Sequence, residues 1–189
     1  ILALVFFMPI MVMIALALYL REGGPVFYLQ KRVGYAGRHF SCLKFRTMNV
    51  RSEQRFEAFS THDPFARAGW EMNRNPGGDS RVSSIGSFLR KSNLDELPQF
   101  FNVLKGDMSV VGPRPINQSE VRRYREHITD YMSVRPGITG LWQVSGSDEH
   151  CFEERVAMDC DYVHNHSFLG DVQIILRTVD VVLSGQDAS

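Results

Sequence analysis

The first twenty positions, Ile1 to Leu20, carry no charged residue, and about 20 consecutive apolar residues suffice to cross a bilayer core as a helix. The run predicts a membrane-inserted helix. Pro9 sits in its middle, where the missing N–H and the ring's clash with the preceding turn predict a kink or break. Two arrangements are compatible with that: a kinked spanning helix, or a segment that enters, turns at Pro9 and returns to the same face. On composition alone the spanning helix is the better reading, because proline is tolerated in many spanning helices. No basic n-region or small-residue cleavage pattern marks a signal peptide. Arg21, Lys31, Arg32 and Arg38 follow the run closely, which places its C-terminal side in the cytoplasm by the positive-inside rule.

After the apolar run, Gly23-Gly24-Pro25 ends the helix. Val26 to Val33 and Arg38 to Met48 flank Gly34-Tyr35-Ala36-Gly37, the pattern of a β-hairpin. An extended second arm places Lys44 and Arg46 on one face at period two, as a cationic strip or as charges guarding an edge strand. Residues 51–79 are polar, with Pro64, Pro76, Gly77 and Gly78 dividing a helical stretch from a loop. Ser83 to Lys91 predicts a short helix with Ile85, Phe88 and Leu89 inward and Arg90 and Lys91 at its end. Pro98 suits the first turn of a following helix, and Gly106 suits its termination. Met108 to Val111 reads as an apolar strand, and Phe152 to Val163 and Gly170 to Leu183 as amphipathic helices. The last is apolar over much of its circumference, which fits core packing, the membrane surface or pairing in a homodimer.

Composition narrows the picture. At 189 residues and 44% hydrophobic, the chain has material for one domain with its own core. Lys and Arg total 21, as do Asp and Glu, so no global field draws the protein to nucleic acid, and any anion must be bound locally. Cys42, Cys151 and Cys160 are odd in number and form no Cys-x-x-Cys, which argues against a disulfide framework and fits a reducing compartment. The chain opens on Ile inside an apolar run, the pattern of a piece lacking upstream residues.

The candidate chemistry centres on Asp95-Glu96, set between the basic Arg90-Lys91 and Leu97-Pro98-Gln99. Adjacent carboxylates at a proline-started helix suit a divalent metal and a nucleophilic oxygen directed at phosphorus, although acidic residues in a first turn more often only stabilise the helix. Arg114 lies between two prolines in Gly112-Pro113-Arg114-Pro115. A planar guanidinium held still suits a bidentate grip on phosphate; a proline-rich turn with a surface arginine is the plain alternative. The stretch Arg135-Pro136-Gly137-Ile138-Thr139-Gly140-Leu141-Trp142-Gln143 suits a loop at a lipid headgroup boundary or against a base, or a core loop with one buried tryptophan. His164 and His166 alternate within an apparent loop with no further ligands close in sequence, which argues against a metal there.

Taken in order, Gly24-Pro25-Val26-Phe27, Lys44-Phe45-Arg46-Thr47-Met48, Leu94-Asp95-Glu96-Leu97-Pro98-Gln99, Gly106-Asp107-Met108-Ser109, Gly112-Pro113-Arg114-Pro115 and Arg135-Pro136-Gly137-Ile138-Thr139-Gly140 resemble the bacterial sugar transferases. These are the monotopic phosphoglycosyl transferases, and the resemblance covers nearly the whole chain. It implies an α+β, mainly helical single domain over 1–189. Residues 1–20 would form a re-entrant membrane helix broken at Pro9, and 21–189 a cytoplasmic catalytic part with a short β-hairpin and amphipathic membrane-surface helices. It therefore reverses the preference for a spanning helix.

The resemblance also implies a reaction at the cytoplasmic face of the bacterial inner membrane. A sugar-1-phosphate would pass from a UDP-sugar, glucose or galactose, to undecaprenyl phosphate, releasing UMP and initiating exopolysaccharide synthesis. Asp95 would be the covalent nucleophile, and Asp95 and Glu96 would hold magnesium. Arg90 and Arg114 would bind phosphate oxygens, with Lys44 and Arg46 lining the same site. A non-catalytic module binding polyprenyl phosphate or nucleotide, and a magnesium-dependent membrane phosphohydrolase, are the alternative readings. Two positions depart from the family's pattern: Met8 stands where a serine often precedes the proline, and Ser147 where relatives carry an arginine, for which Arg155 is the nearest substitute.

Overall fold

The computed structural model describes residues 2–48, 82–145 and 152–184. The polar stretch 51–79 and Ser147 therefore lie outside the described residues. Within them the chain is mainly helical, with one antiparallel hairpin and one short parallel strand pair.

Helix α1 runs Leu2–Glu22 as one continuous segment, with Pro9 inside it. At 21 residues and 1.5 Å per residue its length is about 31 Å, close to a bilayer's hydrocarbon thickness. The expected break at Pro9 does not interrupt the helix. Proline's fixed φ is compatible with helical backbone even though its absent N–H removes one hydrogen bond. Leu4, Met11, Ile14 and Leu18 are buried at helical spacing, so one stripe holds both sides of the proline against the body. The rest of the surface, including Val5, Phe6, Val12, Met13, Leu16 and Leu20, is apolar and exposed.

The hairpin forms around the expected turn, with its second arm ending at Phe45 rather than Met48. Strand β1 (Phe27–Val33) pairs antiparallel with β2 (His39–Phe45), with Phe27 opposite Phe45 and Val33 opposite His39. Ala36 and Gly37 take positive φ in the connecting turn, at 53° and 72°, a region glycine enters at little cost. Ser83 caps helix α2 (Ser84–Lys91) by accepting a hydrogen bond from the Gly86 amide. Leu89 is buried and Ile85 half-buried as expected, but Phe88 is 62% exposed. In so short a helix, the stripe facing α1 and β2 takes Leu89 and Gly86, and Phe88 falls outside it.

A single 3₁₀ turn, Leu94–Glu96, leads through Pro98 into α3 (Gln99–Lys105), which Gly106 ends in the left-handed region at φ 85°. Helix α3 is tied to the outer edge of β2 by Asn102. Its side chain accepts from the Leu43 amide at 3.0 Å and donates to Ser41 O at 2.8 Å. One amide thus supplies the partners that a third strand would have given.

The segment read as a glycine-broken loop is partly strand. Strand β3 (Ser109–Val111) pairs in parallel with β4 (Gly137–Thr139). Gly112, Gly137 and Gly140 are there for close approach, because a Cβ on any of them would collide with the facing backbone. Between the strands lie α4 (Gln118–Val121), a 3₁₀ stretch Arg122–His127 and α5 (Ile128–Met132). Asn117 and Glu120 close a capping box at the start of α4, a reciprocal pair that satisfies two orphan amides.

Helices α6 (Phe152–Asn165) and α7 (Phe168–Ser184) complete the chain. Core packing accounts for only part of α7: Ile174 and Val181 are buried, whereas Phe168, Leu169, Val172, Ile175, Leu176, Val179 and Val182 are exposed.

Three apolar clusters result among the described residues. The first joins α1 to the site's scaffold: Met11, Ile14 and Leu18 pack with Phe45 and Leu89, and Leu94 and Leu97 lie against them. Fully burying each such side chain is worth about 1.5–3 kcal/mol.

Candidate active site

Asp95 and Glu96 occupy the 3₁₀ turn between α2 and α3, flanked by Leu94 and Leu97, which face the α1 cluster. Their apolar neighbours fix the turn, and cations meet the carboxylates from elsewhere. Lys44 reaches from β2 and donates from Nζ to Glu96 Oε1 at 2.6 Å. Arg114, between its two prolines, brings Nη2 to 3.9 Å of the same oxygen. Arg90, at the end of α2, donates from Nε to Thr47 Oγ1 at 2.9 Å and is close enough to act electrostatically on Asp95.

The two adjacent carboxylates are driven in opposite directions. Asp95 is 8% exposed. Burial pushes its carboxyl up to about 6, against the pull of Lys44 and Arg90, and the Glu96 charge adds to the rise. Burial also pushes Glu96 upward, but Lys44 and Arg114, with hydrogen bonds from Lys44 and Gln99, more than offset it and hold Glu96 below the usual carboxylate range. Glu96 is thus ionised throughout the neutral range. Asp95 is an unusually basic carboxylate that is still mostly ionised at pH 7.

The expected site residues are not all together. Asp95, Glu96, Lys44, Arg90 and Arg114 converge. Arg46 does not share Lys44's face, because β2 ends at Phe45 and the period-two argument lapses there. It is 3% exposed and turns to the C-terminal end of α1, where Nη2 donates to Gly23 O at 3.0 Å and lies 3.5 Å from Glu22. A cation at that position also suits the helix dipole. Its Nε and Nη1 have no partner among the described residues.

Other residues are drawn in that the motifs did not single out for phosphate. Arg32, Cys42, Gln99, Pro115 and Ile138 line a small cleft with Lys44, Glu96 and Arg114. Arg32 donates to Pro115 O at 3.1 Å and pairs with Glu120 at 3.5 Å. The strand register held the signal: in the observed pairing residues 28, 30 and 32 face the same way as 40, 42 and 44, so Arg32 belongs to the Lys44 face. Gln99 is 2% exposed and its Oε1 lacks a partner among the described residues.

Trp142 carries two guanidiniums near its ring, Arg155 at 4.9 Å and Arg114 at 5.8 Å, distances suited to cation–π attraction. Arg155 also lies 3.5 Å from Glu120 and 4.0 Å from Asp159. Through the shared tryptophan it is next to Arg114.

The donors at the dyad are hard oxygens, two neighbouring carboxylates on a rigid turn. That set fits magnesium, which is usually held by one or two carboxylates together with substrate phosphates.

The family model described as bacterial sugar transferase matches residues 1–185. The chain belongs to the bacterial sugar transferase family. Among its relatives is the undecaprenyl-phosphate galactose phosphotransferase of Salmonella typhimurium, 47% identical over 163 residues, which are 86% of this chain and 34% of that protein. The UDP-galactose-lipid carrier transferase of Erwinia amylovora is 46% identical over 89% of this chain and 35% of its own length. The exopolysaccharide production protein ExoY of Rhizobium meliloti is 42% identical over 95% of this chain and 80% of its own. The chain therefore spans about a third of the first two relatives and most of the third. As a sugar transferase domain, its converged carboxylates and cations acquire a specific chemical context.

Proposed function

We propose that this sugar transferase domain moves a hexose-1-phosphate from UDP-glucose or UDP-galactose to undecaprenyl phosphate, releasing UMP and beginning exopolysaccharide or glycoconjugate assembly. The observation that carries the reading is the pairing of one basic, buried carboxylate with a second held ionised by Lys44 and Arg114.

In the first step an Asp95 carboxylate oxygen bonds to the phosphorus that bears the sugar. The bond from that phosphorus to the bridging oxygen breaks, and UMP departs with the electron pair. In the second step a phosphate oxygen of undecaprenyl phosphate bonds to the same phosphorus, and Asp95 leaves as carboxylate. Lys44, Arg90 and Arg114 offer positive charge to the phosphate oxygens in both steps, with Arg32 at the cleft wall. Magnesium, held by Asp95 and Glu96, would neutralise charge on the diphosphate and on the departing UMP.

The proposed acceptor is a membrane lipid, and the apolar α1, which packs against the leucines flanking the dyad, supports a site beside a membrane. The exposed apolar surface of α1 and the exposed apolar side of α7 are proposed to lie in the cytoplasmic leaflet of the inner membrane, with Pro9 as the site of a bend within the continuous helix α1. The catalytic part then sits on the cytoplasmic face. Sugars differing only at C4 are not distinguished by any of these contacts. A panel of nucleotide sugars scored by UMP release identifies the donor.

The chemistry is tested by incubating the purified protein with a nucleotide sugar radiolabelled in the hexose, without lipid acceptor. Label retained on the denatured wild-type protein, and absent from Asp95→Asn, is the expected result. Label that persists in Asp95→Asn removes Asp95 from the role of nucleophile. UMP release without protein-bound label points instead to direct transfer or hydrolysis.

A further inference from the structure

His164 belongs to the last turn of α6 rather than to a loop, and the fold supplies ligands that are distant in sequence. His127 Nδ1 lies 3.9 Å from Asp130 Oδ2. His164 Nε2 approaches the other oxygen, Asp130 Oδ1, at 3.7 Å. The Cys160 thiol hydrogen-bonds to Asp130, and the ligand atoms of His127, Asp130 and Cys160 all lie within 4.8 Å of one another. Four side chains that bind transition metals therefore meet at one carboxylate, two from the 127–130 segment and two from α6.

The dimensions fit a small tetrahedral ion. Metal–ligand bonds of about 2.0–2.3 Å, as for zinc with nitrogen, oxygen and sulfur, imply ligand–ligand edges of about 3.3–3.8 Å. His127 Nδ1 and Asp130 Oδ2, 3.9 Å apart, already approach those edges; His164, 3.7 Å from the other Asp130 oxygen, stands outside the 4.8 Å group and joins it by rotation of its exposed side chain. Cys160 and His164 are one helical turn apart on one face of α6, and His127 and Asp130 are three residues apart, so each pair comes from a fixed piece of backbone. His127 and His164 are partly exposed, at 49% and 62%, which leaves the cluster open to an ion from solution.

We propose that His127, Asp130, Cys160 and His164 form a zinc-type site joining the 127–130 segment to α6. A thiol, two imidazoles and one carboxylate are borderline-soft donors, unlike the all-oxygen dyad, so the site discriminates in favour of zinc or cobalt and against magnesium. Coordination replaces the thiol proton with the metal and releases that proton to the buffer. The site ties down α5, whose Tyr131 hydroxyl donates to Val33 O and accepts from the Ile116 amide, two residues beyond Arg114. Its role is structural support at a distance from the chemistry.

Cobalt(II) titration of the intact protein, purified in detergent without a histidine tag and in reducing buffer free of competing thiols, tests the assignment. The expected result is one equivalent of cobalt bound, with a thiolate-to-cobalt charge-transfer band and the visible bands of tetrahedral cobalt. Equimolar zinc abolishes both, and millimolar magnesium does not. Cys160→Ser loses the charge-transfer band, and His127→Ala and His164→Ala each weaken binding at least tenfold. Circular dichroism confirms that each variant is folded. No thiolate band in the wild-type protein, or a band that survives in Cys160→Ser, overturns the proposal, the latter because it assigns the metal to Cys42 or Cys151.

Discussion

Replacing Asp95 with asparagine should stabilise this protein while abolishing its proposed covalent labelling. The reasoning starts from the rise of the Asp95 carboxyl from 3.8 to about 6, driven first by burial. A group whose pKa is higher in the fold than in the unfolded chain binds more protons when folded, so stability falls as pH rises between those two values. Each pKa unit corresponds to about 1.4 kcal/mol, so at pH 7.5 the ionised Asp95 costs the fold on the order of 3 kcal/mol. Asparagine has nearly the same shape and carries no charge to desolvate. Its gain should therefore approach that figure at pH 7.5 and fall to roughly half at pH 5, where folded Asp95 is already mostly protonated.

For a chain of this length 1 kcal/mol corresponds to about 2–4 °C, so the thermal midpoint should rise by roughly 6–12 °C at pH 7.5. Thermal unfolding of both proteins in the same detergent at pH 7.5 and pH 5 measures it. An Asp95→Asn protein no more stable than wild type at pH 7.5, or a gain that grows on acidification, refutes the claim that burial is the dominant influence on this carboxylate. It would mean that Lys44 and Arg90 outweigh desolvation, making Asp95 a structural ion-pair partner rather than a strained nucleophile.

Lys44→Met takes from the half-buried Glu96 its 2.6 Å partner and leaves Arg114 at 3.9 Å; stability should fall by about 1–3 kcal/mol at neutral pH, with a smaller loss at acid pH where Glu96 can protonate, as read by denaturant titration. Gly86→Ala drives a Cβ into the Thr47 carbonyl and should separate α2 from the strand end, costing more than about 2 kcal/mol and freeing Arg90 from Thr47, which hydrogen exchange at α2 would report. Tyr124→Phe removes a 2.6 Å hydrogen bond to Asp159, a carboxyl that burial holds up at about 6. The cost should be about 1.5–3 kcal/mol above pH 6, where the acceptor is charged, and smaller below it; a cost independent of pH would show that Asp159 stays neutral.

Local signals in the sequence carried the hairpin, the capped helix after Ser83, and the turn that Pro98 and Gly106 bracket. Each depends on residues within a few positions of one another. The parallel pairing of Ser109–Val111 with Gly137–Thr139 was not legible, because three-residue strands are too short to show a period and 25 positions separate them. For the same reason Gly112, Gly137 and Gly140 read as loop glycines when they permit backbone contact between strands. Arg46 was misplaced by extending the β2 alternation one residue past Phe45, where the strand ends. His164 looked isolated because Asp130, which its Nε2 approaches, arrives from α5, far earlier in the chain. The convergence of Lys44 and Arg114 on Glu96 was legible as a list of residues, but their distances were not.

The turn holding the dyad is a boundary, and its two sides have different tasks. Leu94 and Leu97, immediately flanking Asp95-Glu96, face Met11, Ile14 and Leu18 of α1, so the helix that is proposed to enter the membrane packs against the two residues that hold the turn carrying Asp95. Lys44 and Arg114, from β2 and the proline-stiffened turn after β3, approach Glu96 from elsewhere. Moving α1 away would rehydrate Asp95 and lower its basicity; removing the cations would raise Glu96 and let it compete for the proton. Two carboxylates one residue apart are thus pushed to opposite ends of their range by different parts of the fold. It follows that proper seating of α1 is a condition for a basic Asp95, and that the proposed nucleophile is linked to the membrane through packing rather than through any charged group.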